Sequence, residues 1–184
     1  MSKDTSSKLA DVGIHILMGE ITDSSCKDAI SFILEKNIDT TKTRPKEIRL
    51  IINSQGGSVT AAFSLIDIML GSTIPIVTTG IGQIASCGLL IFMTGNKRVL
   101  TPNTSILSHQ YSWGSGGKQH DLVAIRKEED LIAERIANHY RMCTKMTKKQ
   151  VQKFLGPSDM WLTAEEAMEN NFCDEIKHYG CTNG

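Results

Sequence analysis

Ser86, His109 and Asp159 are residue types that together perform nucleophilic acyl transfer, with a hydroxyl to attack, an imidazole to take its proton and a carboxylate to orient the imidazole. Each stands where the chain changes direction. Ser86 follows the strand pattern 76–81 and the turn 82–86, and it precedes a short apolar helical segment, 87–94. His109 ends the apolar strand pattern Ile106-Leu-Ser108, and Asp159 follows the Gly156-Pro157 break. A second turn, Asn53-Ser-Gln-Gly-Gly57, again joins a strand pattern to a helix. Backbone N–H groups at such a junction are placed to stabilise developing negative charge, and paired glycines allow close backbone approach. The N–H groups of Gly57 and Cys87 could therefore converge on an oxyanion.

The same residues also admit plain structural roles. Gly56-Gly57 can be merely a tight turn, Ser86 an N-cap and Asp159 a turn aspartate. His15, His120, His139 and His178 read as solvated or structural, leaving His109 as the candidate base. The order Ser-His-Asp differs from that of α/β-hydrolases, and Ile84 occupies the first glycine position of a G-x-S-x-G elbow, so that fold is unlike this one.

The elements that must position these groups can be read from periodicity. Residues 13–18 form a buried strand pattern, and Asp23 or Ser24 is expected to cap a helix with Ala29, Ile30, Ile33 and Leu34 on its apolar face. After a charged loop at 37–46 come two strand-turn-helix units: strand 47–52 with helix 58–70, and strand 76–81 with helix 87–94. Val59, Ala62, Phe63, Ile66 and Met69 share one face of the first helix, and Gly71 ends it. Consecutive units of this kind imply parallel strands and an α/β fold. Short strands follow at 98–100 and 105–108, then the Gly-rich segment 113–117 and a long helix over 120–143. That helix places Leu122, Ile125, Ile132, Ile136 and Tyr140 near one face, opposite the charged run 126–130. Thr147 with Gln150 and Thr163 with Glu166 are capping boxes for two shorter helices, 160–162 is extended, and 172–176 closes the domain as a strand.

Composition bounds the rest. At about 150 residues per domain, 184 residues make one domain. Twenty basic and 20 acidic residues cancel, and 22% charged with 40% hydrophobic is globular, which excludes disordered, collagenous and coiled-coil classes. Neutrality argues against nucleic acid or an anionic membrane as partner. Five cysteines without a C-x-x-C pair fit neither a disulfide framework nor a zinc site; no metal or cofactor is expected, and a reducing, cytoplasmic setting is. The N-terminal residues are polar, and the longest apolar run, 88–93, is far below the roughly 20 residues that span a bilayer.

Five motifs occur in one order: Ile52-Asn-Ser-Gln-Gly-Gly-Ser-Val-Thr60, Gly82-Gln-Ile-Ala-Ser-Cys-Gly88, Pro102-Asn103, Leu107-Ser-His-Gln110 and Asp159-Met-Trp-Leu-Thr-Ala-Glu-Glu-Ala167. With them the chain resembles the ClpP family, the proteolytic subunits of ATP-dependent Clp proteases, from about Ile14 to Ile176. The resemblance implies Ser86 as nucleophile, His109 as general base, Asp159 as orienting carboxylate, and Gly57 and Cys87 as oxyanion-hole donors. It implies a crotonase-like α/β fold with a protruding handle of β-ribbon and long helix at about 111–145, within a single domain 14–177 flanked by tails 1–13 and 178–184. It further implies heptameric rings stacked in pairs around a chamber, peptide or unfolded-protein substrates, and a Clp-type AAA+ ATPase as partner. A histidine base must be neutral, so activity is expected to rise from mildly acidic pH to neutrality.

The sequence departs from the family pattern at several places. The segment before Ile14 is shorter than the family's axial loop and first helix, 40–46 is a small insertion, Gln55 replaces a proline, and Tyr111-Ser-Trp113 replaces the proline after His-Gln. None removes a catalytic group. The alternatives are a catalytically weak structural ring subunit that co-assembles with another ClpP-type chain, and an acyl-CoA enzyme of the crotonase group. The intact Ser-His-Asp set disfavours both.

Overall fold

The two strand-turn-helix units build a parallel sheet in the computed structural model, which describes the backbone of residues 8–110 and 119–178 and the side chains of 8–110 and 125–178. Strands β1 (Ile14–Ile21), β2 (Ile48–Gly57), β3 (Ile76–Ala85), β4 (Lys97–Leu100) and β7 (Glu175–Ile176) lie in the order β1-β2-β3-β4-β7, every pair parallel. Strand β5 (Ser105–Ser108) continues the sheet beside the far end of β3 in parallel, and β6 (Met160–Leu162) pairs antiparallel with β5. This is the mixed α/β fold expected of the ClpP family.

On its edge away from β2, strand β3 thus serves two partners in turn, residues 77–80 pairing with β4 and 83–85 with β5. The change falls at Gly82, whose φ of +64° bends the chain, and where the β2–β3 register moves from Ile52↔Gly80 to Ser54↔Ile84. A second register shift lies between Met18 and Glu20 on β1. These irregularities correct the expected turns at 53–57 and 82–86. Both strands run on through their glycines because bulges absorb the extra residues while ladder hydrogen bonds persist on either side.

Helix α1 (Asp23–Ile38) is capped by Thr22 rather than by the expected Asp23 or Ser24. Thr22 has the extended backbone that a cap needs, its Oγ1 accepts from Ser25 N–H at 3.1 Å, and Ser25 Oγ accepts from Thr22 N–H at 3.0 Å. The buried stripe of α1 is Cys26, Ala29, Phe32 and Ile33, whereas Leu34 is 45% exposed, so the apolar face is rotated from the expected one. Helix α2 (Val59–Leu70) starts at Ser58, whose Oγ accepts from Ala61 N–H, and ends at Gly71 as predicted. Helix α3 (Cys87–Met93) is wholly buried against β2, β3 and α2, which is why its sequence is apolar on every side.

Helix α4 (Gln119–Thr144) buries Ile132, Ile136 and Tyr140 and leaves Arg126, Lys127, Glu128 and Asp130 in solvent. Helices α5 (Lys148–Phe154) and α6 (Ala164–Glu169) open on the two predicted capping boxes. Strand β7 has two residues instead of five, because Asn171 takes a left-handed φ of 60° and Phe172 and Cys173 turn into the core before pairing begins. Within the expected 1–13 tail, residues 8–11 are helical and Ala10 packs on the core. The expected Gly-rich ribbon at 113–117, Leu122 and His120 on the long helix, and the end of the C-terminal tail lie outside the residues or side chains described. Among the described residues no helix is long and apolar enough to cross a membrane.

One buried cation ties the sheet to its flanks. Arg98, 8% exposed on β4, donates from Nε and Nη2 to the two carboxylate oxygens of Asp174 at 3.0 and 2.5 Å. Its Nη1 donates to the carbonyls of Cys143 and Asn171. Strand β4, the end of α4 and the approach to β7 therefore share a single fork of donors.

Candidate active site

Ser86 sits between the end of β3 and the start of α3 with φ 54° and ψ −124°, a backbone conformation that a residue with a side chain adopts only under constraint. Three contacts impose it. Its N–H donates to Leu107 O on β5 at 3.1 Å, and its carbonyl accepts from Leu89 and Leu90 N–H as α3 begins. Its side chain makes no capping hydrogen bond, so the N-cap role that the sequence left open is not what the hydroxyl does. Ser86 is half-buried and lines a small cleft of about 20 Å³ together with His109, Val59, Leu90, Tyr140 and Leu155.

The Gly56-Gly57 turn lies directly against this serine. Gly56 has φ +99°, and a methyl group placed there would stand 2.6 Å from Ser86 Cβ and 3.1 Å from Oγ. Gly57 has φ +149°, and a methyl there would meet Ile21 O at 2.3 Å. Glycine is required at both positions by space as well as by φ. The turn is held by Ser54 Oγ, which accepts from Gly56 N–H at 3.0 Å, and by Cys87 Sγ–H, which donates to Gly57 O at 3.1 Å. Cys87 is the first residue of α3, where the N–H has no carbonyl one turn back in the helix. Burial pushes the Cys87 thiol pKa up, so the side chain stays protonated and able to donate.

His109 leaves β5 immediately after Ser108, and Ser108 is anchored twice. Its Oγ exchanges a hydrogen bond with Tyr140 OH on α4 at 2.8 Å and donates to Phe154 O on α5 at 2.8 Å. Tyr140 is fully buried and its hydroxyl pKa is raised by that burial, so it remains a neutral hydrogen-bonding partner. Neither Ser108 nor Tyr140 was singled out as a positioning group from sequence; the signal available was a polar residue one place before the candidate base. Asp159 precedes β6, and continuing the Ser108↔Met160 register by one step sets it opposite His109. Ser86 and His109 line the same cleft, and Asp159 is exposed. Among the described residues no hydrogen bond joins Ser86 to His109 or His109 to Asp159.

Of the other histidines whose side chains are described, His139 and His15 make internal contacts and His178 is exposed. His139 is 5% exposed, bonds Leu90 O through Nε2 at 2.9 Å and meets Phe63 edge-on; burial lowers its pKa and keeps it neutral. His15 stacks on Phe32. Cys26, Cys87, Cys143 and Cys173 are free thiols, and among the described residues no group of three or more His, Cys, Asp or Glu side chains is placed to hold a metal ion.

A strained serine at a strand-helix junction, a histidine lining the same cleft and a glycine pair packed on the serine stand together on this α/β fold. The sequence profile of the Clp protease family matches residues 1–179, and the chain belongs to that family, whose members are serine-type peptidases. It is 36% identical to ATP-dependent Clp protease proteolytic subunit 2 of Tropheryma whipplei (strain Twist) over 167 residues, covering 88% of this chain and 89% of that protein. It is 36% identical to proteolytic subunit 1 of Leifsonia xyli subsp. xyli over 166 residues, 88% and 81% of the two chains. To proteolytic subunit 2 of Thermobifida fusca it is 31% identical over 182 residues, 96% and 86%.

Proposed function

We propose that this chain is a serine endopeptidase that hydrolyses peptide bonds in unfolded proteins and peptides, with Ser86 as nucleophile, His109 as general base and Asp159 as the carboxylate that orients it. His109 removes the Ser86 hydroxyl proton as Oγ attacks the peptide carbonyl, and the N–H groups of Gly57 and Cys87 receive the oxyanion. His109 then protonates the leaving amine, and water hydrolyses the acyl-enzyme by the reverse sequence. The observation that supports this reading is Ser86 itself, whose backbone is constrained at φ 54°, whose hydroxyl makes no capping bond to α3, and which lines one cleft with His109. Hydrogen bonds among such groups tighten when substrate fills the site. A groove of about 530 Å³ between α4 and α5 shares Ile136 and Leu155 with the catalytic cleft and gives an extended peptide room to lie.

The proposal extends to assembly. The relatives are named proteolytic subunits of ATP-dependent Clp proteases, which supports an oligomer served by a Clp-type AAA+ ATPase, and the proposed form is a cytoplasmic homo-oligomer of heptameric rings stacked in pairs. Residues 14–177 act as one domain in this reading, and α4 is the helical part of the handle. Labelling with a fluorophosphonate probe, together with native mass measurement, tests both parts. Labelling of wild type but not of Ser86→Ala, at a mass of many subunits, is the expected result; equal labelling of the two proteins would refute the nucleophile.

A further inference from the structure

The peptide that carries the Gly57 N–H is flanked by two peptides that are each pinned. On one side Gly56 N–H donates to Ser54 Oγ at 3.0 Å, fixing the Gln55–Gly56 plane. On the other side the Gly57–Ser58 plane is held at both ends, Ser58 N–H donating to Ile21 O at 2.8 Å and Gly57 O accepting the Cys87 thiol proton at 3.1 Å. Gly57 has no side chain to restrict its own dihedrals, so its N–H direction depends on those anchors. The Cys87 bond crosses from α3 to the end of β2, and its donor is 3% exposed, so a buried thiol anchors the exposed Gly57 peptide. The anchor residue is also the one whose backbone N–H stands beside Ser86 at the start of α3.

From this geometry we infer that the Cys87 side chain is a positioning residue of the oxyanion hole, its S–H···O=C bond to Gly57 setting the angle and separation between the two backbone donors. The inference rests on the peptidase reading above and deepens it. The thiol forms and breaks no covalent bond and does not touch substrate. It acts by removing the freedom of the Gly57 peptide before the oxyanion forms, which is the preorganisation that makes such donors effective.

The test compares wild type with Cys87→Ala and Cys87→Val, which lack a donor, and with Cys87→Ser, which keeps one. Three quantities are measured on the full-length proteins: kcat and KM on a fluorogenic peptide, inhibition by a peptide boronate that forms a tetrahedral adduct with the serine, and thermal unfolding. Loss of one aligning hydrogen bond predicts about a 3- to 10-fold fall in kcat for whichever of the Ala and Val variants folds, with KM within about twofold and boronate binding weakened in step. Serine should recover most of that loss although a hydroxyl packs no better than alanine in this buried position. A purely structural cysteine would give the opposite ranking, with activity following thermal stability. Equal kcat in wild type and a donor-less variant, or Ser no better than Ala, overturns the inference while Ser86-dependent fluorophosphonate labelling of wild type still supports the peptidase reading. Wild type that shows no Ser86-dependent labelling overturns that reading, and the inference with it.

Discussion

Gly56 and Ser86 are in backbone-to-side-chain contact across the site, so close that one methyl group at Gly56 would lie 2.6 Å from Ser86 Cβ. Two loops far apart in sequence are fitted to each other without slack. The serine is held in its strained conformation by hydrogen bonds to β5 and α3, and the glycine turn closes over its other side.

Gly56→Ala therefore disturbs both partners. The positive φ and the clash together are expected to cost about 2–4 kcal/mol of stability and to abolish most fluorophosphonate labelling, because Ser86 must move. Thermal unfolding and labelling rate check this; a variant that labels at the wild-type rate would show that the contact does not matter.

For the catalytic groups, Ser86→Ala and His109→Ala are expected to lower kcat by about 10⁶-fold, and Asp159→Asn by a smaller factor of about 10⁴-fold, since it orients rather than reacts. Peptide hydrolysis by the purified proteins, with oligomer mass matched, decides the order. Asp159→Asn at full activity would remove it from the mechanism.

Ser108 and Tyr140 anchor the strand that ends in His109. Ser108→Ala leaves Tyr140 OH and Phe154 O without their shared partner in a dry interior, an expected loss of about 1–3 kcal/mol; Tyr140→Phe loses only one of the two bonds and should cost less. If the anchor positions the base, Ser108→Ala also lowers kcat when assayed well below its melting temperature. Denaturant titration beside steady-state kinetics separates the two effects.

Arg98→Ala strips Asp174 and two carbonyls of their donor. The expected destabilisation is about 3 kcal/mol, at the lower end for a buried pair because the Asp174 side chain is 40% exposed. Arg98→Lys should recover little, since an ammonium cannot make the forked contact. The Arg98 hydrogen bonds lower the Asp174 carboxyl pKa from the ordinary 3.8. A carboxyl whose folded pKa is depressed contributes stability that is complete above 3.8 and is lost as pH falls through the lower folded value. Asp174→Asn should therefore be less stable than wild type at pH 7 and close part of that gap in strong acid. A gap constant with pH would disprove the linkage.

Much of the local structure was legible in the chain. The capping boxes at Thr147 and Thr163, the stop at Gly71 and the two strand-helix units act through neighbours three or four residues apart, and all of them stand. The α1 cap shows the limit of that reading: Thr22, Asp23 and Ser24 are all capping types, and the choice fell to Thr22, the last residue still extended as the chain leaves β1. The continuation of β2 and β3 through their glycines was likewise not legible, because a bulge depends on what the neighbouring strand offers.

The sequence by itself determined which chemistry was available: a serine, a histidine and a carboxylate at chain turns, with glycines where backbone must come close. Only the tertiary structure decided that Ser86 lines one cleft with His109 while its hydroxyl leaves α3 uncapped, that β6, which follows Asp159, pairs with β5, which ends before His109, and that a cysteine thiol bridges the start of α3 and the end of β2. Residue types fix what a group can donate or accept, whereas its direction is set by ladders and packing contacts among segments 22 to 56 residues apart, which no local pattern encodes.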